Sequence, residues 1–292
     1  MKKWLKIFFR VLRTRAITYC RPPSTASERF NMKKIRLTLL VAIAMWIATG
    51  VSFADELRVA TFNYPPFQYE EQGEVKGIAV DIVRELFKRL NQPIKMDFYP
   101  FPRAVKNLRT GESDVVFTFY HKKERESFAD YSKEALVEQT ISLFVHEDSY
   151  IFFDGDLSKL NPYKFGLVRF SYGSVFDAAV DKKLIKHIEY VSLMDLNMKK
   201  FLRRRFDILP SDRWVAYYYH SKVKNKENKS VRLKELTPPI QSFPAYMGFS
   251  KANNLSGLRD KADIILKEMK RDGSYQRIID GYLAGWGITG RP

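Results

Sequence analysis

Arg125 follows a short apolar run that is typical of a buried strand. The run Val115-Val116-Phe117-Thr118-Phe119 favours a parallel sheet with helices on both faces. An arginine just beyond the C-terminal end of such a strand lies where open α/β sheets bind ligands. Its planar guanidinium can hold a carboxylate through two parallel hydrogen bonds. The alternative is a solvated arginine among the charged residues around it.

The other residue types that often carry chemistry are sparse. The four histidines, at positions 121, 146, 187 and 220, show no metal-ligand spacing, so we expect no metal site and no cofactor. Cys20 is the only cysteine. It precedes the region that we expect to fold, which excludes a disulfide or a thiol nucleophile there.

The positive charge of the chain is concentrated at its N-terminus. Eleven of the 50 basic residues but only one of the 33 acidic residues lie in residues 1–54. The remaining 39 basic and 32 acidic residues leave a net charge of +7 instead of +17. This distribution argues against a nucleic-acid partner, because the folded part carries little excess charge.

The basic N-terminus has the pattern of a signal peptide. Basic residues after Met32, an apolar core from Leu37 to Ala48 and the small residues of Ser52-Phe53-Ala54 predict a signal at 32–54, cleaved after Ala54. An uncleaved membrane anchor is the alternative. Residues 1–31 form an extension that a mis-assigned start codon would explain, with Met32 as the true start.

Periodicity along the rest of the chain predicts an α/β fold with two lobes. A first set of elements comprises strands at 57–62, 94–99 and 115–119 and helices at 78–90 and 103–110. A second set comprises strands at 164–168, 187–191 and 206–209 and helices at 174–182, 193–203 and 212–219. We expect a charged loop at 221–230, strands at 138–145, 231–236 and 246–250, and closing helices at 255–271 and 275–283.

The predicted lobes are 55–145 with 246–292, and 146–245. The chain would cross between them near Val145 and again near Tyr246, and two crossing segments form a hinge. A cleft between two lobes is a preferred site for a small molecule.

Several short motifs resemble a known family in their order and spacing. Tyr64-Pro65-Pro66-Phe67 with Gly77-Ile78-Ala79-Val80-Asp81, Glu124-Arg125 followed by Phe128 to Ser132, and Asp272-Gly273-Ser274-Tyr275 carry the likeness. Over residues 57–283 the chain resembles bacterial periplasmic solute-binding proteins of the polar amino-acid type. The resemblance implies a type II periplasmic binding protein fold, whose two lobes close on a ligand across a two-segment hinge.

The resemblance also implies roles for individual residues. Arg125 matches the arginine that binds the α-carboxylate of the ligand, and Asp212 matches the acid that binds its ammonium. Asp212 also precedes a predicted helix, so it can equally be an N-cap. The remaining candidates are two wall residues (Tyr64, Phe101), two hydroxyl residues beside the carboxylate (Thr118, Tyr120), Ser174 at a helix start, and Arg103 as an added basic group.

The implied function is the capture of an amino acid or similar small polar solute. The expected partners are a zwitterionic or polar ligand and the permease of an ABC importer in the inner membrane, with the protein a periplasmic monomer and not an enzyme. Two alternatives stay open: an enzyme on the same fold, similar to cyclohexadienyl dehydratase, or a ligand sensor for a membrane signalling partner.

Overall fold

The computed structural model describes residues 55–227 and 232–288. The predicted extension at 1–31 and the signal peptide at 32–54 lie outside the described residues. The helices are α1 (Ile78–Arg89), α2 (Phe101–Thr110), α3 (Ser174–Asp181), α4 (Met194–Leu202), α5 (Arg213–Glu227), α6 (Ser256–Arg271) and α7 (Ser274–Gly285).

The strands of the described residues build one large mixed sheet and two small ones. They are β1 (Leu57–Thr61), β2 (Tyr69–Glu71), β3 (Glu74–Lys76), β4 (Ile94–Phe98), β5 (Val115–Tyr120), β6 (Ala129–Tyr131), β7 (Val137–His146), β8 (Phe165–Val168), β9 (Ile188–Val191), β10 (Leu209–Asp212) and β11 (Leu233–Ser250). The large sheet has the order β10-β7-β11-β5-β1-β4, with β6 paired to β11. Strands β2 and β3 form a hairpin, and β8 pairs with β9.

The first αβ set forms as predicted. Strand β1 runs parallel to both β4 and β5, and helices α1 and α2 are the crossovers between them. Helix α2 ends at Gly111, whose left-handed φ of 77° is the conformation expected of a glycine C-cap. These strands, with β2, β3, β6, α6 and α7, constitute lobe 1.

Two long antiparallel strands join lobe 1 to lobe 2, which comprises β8–β10 and α3–α5. Residues 141–144 of β7 pair with β10 in lobe 2, and residues 245–250 of β11 pair with β5 and β6 in lobe 1. Between these regions β7 and β11 pair with each other. The two-lobed α/β fold with two crossing segments is therefore confirmed, while the residue limits of the lobes stay predictions.

Each lobe buries apolar residues on both faces of its sheet. In lobe 1, Val115 and Phe117 pack with α1, α6 and α7, whereas Val116 and Phe119 pack with α2. In lobe 2, one cluster surrounds Phe165 and Phe176, and a second surrounds Phe144 and Phe201. This layering explains the continuous apolar runs that predicted the strands.

Three local predictions were wrong. Residues 221–227 continue α5 instead of forming a loop, since no Gly or Pro interrupts the chain there and Val223 is buried. Strand β11 is one long strand in place of two, because the prolines at 238 and 239 lie where its pairing to β7 shifts register, between Leu236 and Gln241. The strand predicted at 206–209 lies at 209–212.

Candidate functional site

A cavity of ≈ 930 Å³ opens between the two lobes. Its walls come from the ends of lobe 1 strands, from the helix starts of lobe 2 and from the crossing strands. The lining residues are Tyr64, Pro65, Tyr120, His121, Lys122, Gln139, Ile141, Phe170, Ser171, Gly173, Ser174, Met194, Asp212, Val215, Tyr219, Phe243, Pro244 and Tyr246. Most are aromatic or apolar, with few charged groups, which is the usual lining of a small-molecule site.

Asp212 is the buried acid of this cavity and the N-cap of α5. Its Oδ1 accepts hydrogen bonds from the backbone N–H groups of Trp214 (3.0 Å) and Val215 (3.1 Å). Its Oδ2 accepts one from the N–H of Thr140 at 3.0 Å. The predicted capping role is thus confirmed. A carboxylate offers about four acceptor positions, so one remains for a donor in the cavity.

The surroundings of Asp212 act on its ionisation in opposite directions. Burial raises the pKa of Asp212 to about 7, although the three backbone N–H groups and the charge of Arg213 favour the ionised form. Burial and the charge of Asp212 also raise the pKa of Tyr64 and of Tyr120, so both phenols stay protonated. Asp212 is therefore a titratable acid whose charge acts on two neutral phenols of the cavity, those of Tyr64 and Tyr120.

The Tyr64 ring lines the cavity because the turn after β1 is tightly bonded. The N–H of Tyr64 donates to the carbonyl of Gln68 at 2.7 Å, and the carbonyl of Tyr64 accepts from Phe67 at 3.0 Å. The ring also stacks on Phe67, with centroids 5.3 Å apart. The structure therefore brings Tyr64 and Asp212, two of the predicted site residues, into one cavity.

A bulge in β5 decides which of its side chains face the cavity. Thr118 has a left-handed φ of 54°, which is rare for a β-branched residue. Opposite it, the pairing with β11 jumps from Gly248↔Val116 to Tyr246↔Phe119. This extra residue shifts the alternation by one, so that Phe119 faces α2 and Tyr120 lines the cavity.

Tyr120 forms part of the cavity wall and is held at its backbone. Its ring meets Phe243 edge-on, with centroids 6.1 Å apart. Its carbonyl accepts hydrogen bonds from Arg125 Nη1 at 3.0 Å and from the Tyr131 hydroxyl at 3.1 Å. The predicted Tyr120 thus lies at the site.

Arg125 is not among the residues that line the cavity. Its guanidinium carbon lies 4.4 Å from the ring centroid of Phe119 and 5.4 Å from that of Phe101. Phe101 in turn packs edge-on against Phe62 at 4.9 Å. The structure therefore groups Arg125 with Phe101 on the α2 side of the sheet, and the ligand-binding role of both stays a prediction.

Of the other predicted residues, Ser174 lines the cavity, whereas Thr118 and Arg103 do not. The buried hydroxyl of Thr118 donates to Gln68 Oε1 at 2.7 Å and does not line the cavity. Arg103 is exposed on α2 and also lies outside the lining. Ser174 lines the cavity at the first residue of α3, where its hydroxyl donates to Gln241 Oε1 at 3.4 Å.

Sequence reasoning missed several lining residues. Gln139 is 1% exposed, and its Nε2 has no hydrogen-bond partner among the described residues. An amide side chain within the strand predicted at 138–145 was a signal that could have identified it. Phe170, Met194, Tyr219 and Phe243 gave no such signal, because an aromatic or apolar residue more often belongs to the core.

The described residues lack the features of a metal site and of a membrane span. No group of three or more His, Cys, Asp or Glu side chains there is arranged to hold a metal ion. Within the same residues, every helix is too short or too polar to cross a bilayer.

Comparison with known proteins gives a consistent family. The family model of bacterial extracellular solute-binding proteins, family 3, matches residues 57–285. A probable histidine-binding protein of Campylobacter jejuni is 23% identical over 288 residues, which cover 97% of this chain and 99% of that protein. An arginine-binding periplasmic protein of Mannheimia haemolytica is 31% identical over 88 residues, 30% of this chain and only 35% of its own length.

A solved structure shares the fold. The second substrate-binding domain of a putative amino acid ABC transporter from Streptococcus pneumoniae is 18% identical, with a TM-score of 0.64 over 78% of this chain and 100% of that chain. The two lobes, the cavity between them and the family match over most of the chain lead to one conclusion: this protein belongs to the bacterial extracellular solute-binding proteins, family 3.

Proposed function

We propose that this protein captures an amino acid or a similar small solute with an amine, and delivers it to an ABC importer in the inner membrane. The single observation that supports this most strongly is the Asp212 carboxylate, buried in a cavity with one acceptor position open. A protonated amine is the natural partner of such a group, since a buried charge needs an opposite charge and hydrogen bonds.

The names of the relatives favour the same ligand class. The Campylobacter protein is named for histidine and the Mannheimia protein for arginine, both of which carry amines. The Streptococcus domain is part of a putative amino acid ABC transporter, which supports the permease as a partner. The relatives named for a ligand are binding proteins, so we propose binding and not catalysis.

The cavity walls suggest how capture would work. Asp212 and Ser174 belong to lobe 2, whereas Tyr64 and Tyr120 belong to lobe 1. A ligand that contacts both lobes stabilises their closed arrangement, which shifts the population towards it. An importer can then distinguish the loaded protein from the empty one by its shape.

Export to the periplasm completes the proposal. We propose that the chain is secreted with its signal peptide removed after Ala54, and that it acts as a monomer. N-terminal sequencing of the periplasmic fraction tests the cleavage, and an N-terminus upstream of Met32 would contradict it.

The experiment for the function is a thermal-shift screen of amino acids, amines, small peptides and organic acids. A ligand that binds only the folded state raises its melting temperature, by an amount that grows with concentration. X-ray scattering with the best compound should show compaction. The absence of any stabilising compound, or a bound compound without compaction, would count against capture by lobe closure.

A further inference from the structure

We infer that Gln139 is a specificity-determining residue of the cavity, whose amide selects amino acids with a hydrogen-bond acceptor in the side chain. The inference rests on the proposed capture function and narrows its ligand to side chains with an acceptor, such as an amide oxygen or a ring nitrogen. It follows from one buried amide nitrogen that the protein leaves unpaired and from the distribution of charge around the cavity.

Gln139 lies on the crossing strand β7, close to the group that we propose to bind the amine. Its direct partner across the ladder is Phe243 of β11, and both residues line the cavity. The next residue along the strand, Thr140, donates its backbone N–H to the Asp212 carboxylate at 3.0 Å. A ligand whose amine is held at Asp212 therefore lies within reach of the Gln139 side chain.

The amide nitrogen of Gln139 is buried without a bond. The residue is 1% exposed, and its Nε2 has no hydrogen-bond partner of normal geometry among the described residues. The amide lies near the Tyr64 phenol, where it opposes the rise in the pKa of Tyr64 that burial and the charge of Asp212 cause. An unpaired buried donor costs free energy. We therefore expect the empty protein to carry this cost and a bound acceptor to remove it.

A ligand can use this nitrogen without breaking a bond that Nε2 makes to the protein. The last torsion of a glutamine side chain has broad minima, so the amide can turn towards a ligand at little cost. Gln68 provides a contrast, because its buried amide accepts from the Thr118 hydroxyl at 2.7 Å and does not line the cavity. Of these two buried glutamines, Gln139 is the one placed to meet a ligand.

The charges around the cavity disfavour a cationic side chain. Of the described residues that line it, Asp212 alone is acidic, and the α-ammonium of an amino acid would occupy its open acceptor position. A second cation in the ligand would need a second buried acid. Lys122, which also lines the cavity, carries a charge that repels such a group. The Gln139 nitrogen is itself a donor, so it cannot pair with an ammonium or a guanidinium.

Titration calorimetry on matched amino acids tests the selection. The pairs are glutamine or glutamate with methionine, asparagine or aspartate with leucine, histidine or tyrosine with phenylalanine, and threonine with valine. We expect the tightest amino acid to carry a side-chain acceptor and to bind about tenfold or more tightly than its apolar counterpart, since a site built to bond a polar group rejects the analogue that lacks it. A smaller ratio, or a tightest amino acid with an apolar or cationic side chain, would overturn the inference and leave the proposed function standing. A protein that binds no compound of the screen or the pairs would overturn both.

Gln139→Met separates a ligand contact from a structural role. Methionine has a similar shape but no amide, so the two members of the pair should bind within about threefold of each other. The unliganded variant should melt at the wild-type temperature or above it, because it no longer buries an unpaired amide. A ratio that stays at its wild-type value would show that the amide serves only the fold, for example beside Tyr64, and would overturn the inference. If Gln139→Met does not fold, Gln139→Glu serves for the same ratio, since it replaces the donor with an acceptor of the same size.

Ser142→Ala is the matched control on the same strand. Ser142 is fully buried, and its Oγ also has no hydrogen-bond partner among the described residues, but it does not line the cavity. We expect the ratio of the dissociation constants within the pair to stay at its wild-type value. A fall of the ratio equal to that in Gln139→Met would show that any change in the packing of β7 alters selection, and would overturn the role of Gln139.

Discussion

The Asp212 carboxylate accepts a 3.0 Å hydrogen bond from the backbone N–H of Thr140. Thr140 lies on the crossing strand β7, and Asp212 ends β10, the lobe 2 strand that pairs with β7. The group that we propose to bind the amine is therefore also part of the fold. Changes at Asp212 must be measured on stability and on affinity separately.

Asp212→Asn should lose most of the affinity for an amine. The asparagine keeps a cap for α5 but cannot pair with an ammonium, so we expect binding to weaken by about 2–5 kcal/mol. Its amide nitrogen cannot accept the Thr140 N–H, which should lower the free energy of unfolding by about 1–3 kcal/mol. Calorimetry measures the first effect and urea unfolding the second.

Asp263→Asn is the matched control for this change. Asp263 is 5% exposed and accepts hydrogen bonds from the backbone N–H groups of Lys133 and Glu134, but it does not line the cavity. We expect a similar loss of stability with unchanged affinity. An equal loss of affinity in the two variants would indicate that Asp212 acts only through the fold.

Ligand binding should weaken in acid. The ionised form of Asp212 binds an ammonium, and its pKa of about 7 means that protons compete with the ligand below neutrality. For a ligand that stays protonated, the affinity should fall about tenfold between pH 8 and pH 6. Calorimetry at the two pH values measures it. The charge of Arg213 also acts on Asp212, and Arg213 itself pairs with Glu235 at 2.8 Å.

The pH effect has its own control. In Asp212→Asn the residual affinity should be the same at pH 6 and pH 8, because the titrating group is gone. A pH dependence that persists in the variant would show that a group other than Asp212 is responsible.

Tyr218→Ala should loosen the contact between the lobes beside the cavity. The buried Tyr218 ring of lobe 2 meets Tyr69 at 5.5 Å and Trp286 at 6.0 Å in lobe 1. Next to it Lys222 Nζ lies 3.3 Å from Glu71 Oε1, but an exposed ion pair adds little to the stability of the contact between the lobes. We expect a larger radius of gyration for the unliganded variant, measured by X-ray scattering.

Tyr217→Ala provides the comparison on the same helix. Tyr217 packs edge-on against Phe144 and donates to Glu235 at 3.2 Å. Both partners lie on the crossing strands, at the ends that belong with lobe 2. This variant should lose stability without any change in the radius of gyration of the folded protein. Equal expansion in both variants would mean that Tyr218 is no special link between the lobes.

Asp114→Asn should destabilise lobe 1 and flatten its response to acid. Asp114 accepts from Arg58 through the backbone N–H (2.8 Å), Nε (3.0 Å) and Nη2 (2.9 Å), and from Asn253 at 2.6 Å. Burial alone would raise the pKa of Asp114, but these donors outweigh it and hold the pKa below its usual value. Since Arg58 is half exposed, we expect the variant to lose only about 1–3 kcal/mol in its free energy of unfolding at pH 7.

The sign of this pH effect follows from the lowered pKa. The stabilisation by ionised Asp114 is complete above the pKa of the unfolded chain, about 4, and is lost as the pH falls below it. Urea midpoints of wild type and variant should therefore converge as the pH falls below about 4. Parallel curves through that range would show that Asp114 is not a source of the acid sensitivity.

Much of the fold could be predicted from local sequence patterns. The apolar positions of α1 repeat at helical spacing, and Gly111 ends α2 in the left-handed conformation that it alone adopts easily. Such signals depend on residues a few positions apart, so they can be recognised without knowing which distant residues pack against them. The order of the motifs, from Tyr64-Pro65 to Gly273, was enough to indicate the family.

The site itself depended on tertiary structure. No local pattern predicts the bulge at Thr118, which turns Tyr120 to the cavity and places Arg125 beside Phe119. Nor does a local pattern predict the burial that raises the pKa of Asp212. Phe243 joins Tyr120 only because β11 returns beside β5. The sequence by itself determined which elements form and which family they belong to. The packing of distant strands decided which side chains share the cavity, because the direction and burial of a side chain depend on partners far away along the chain.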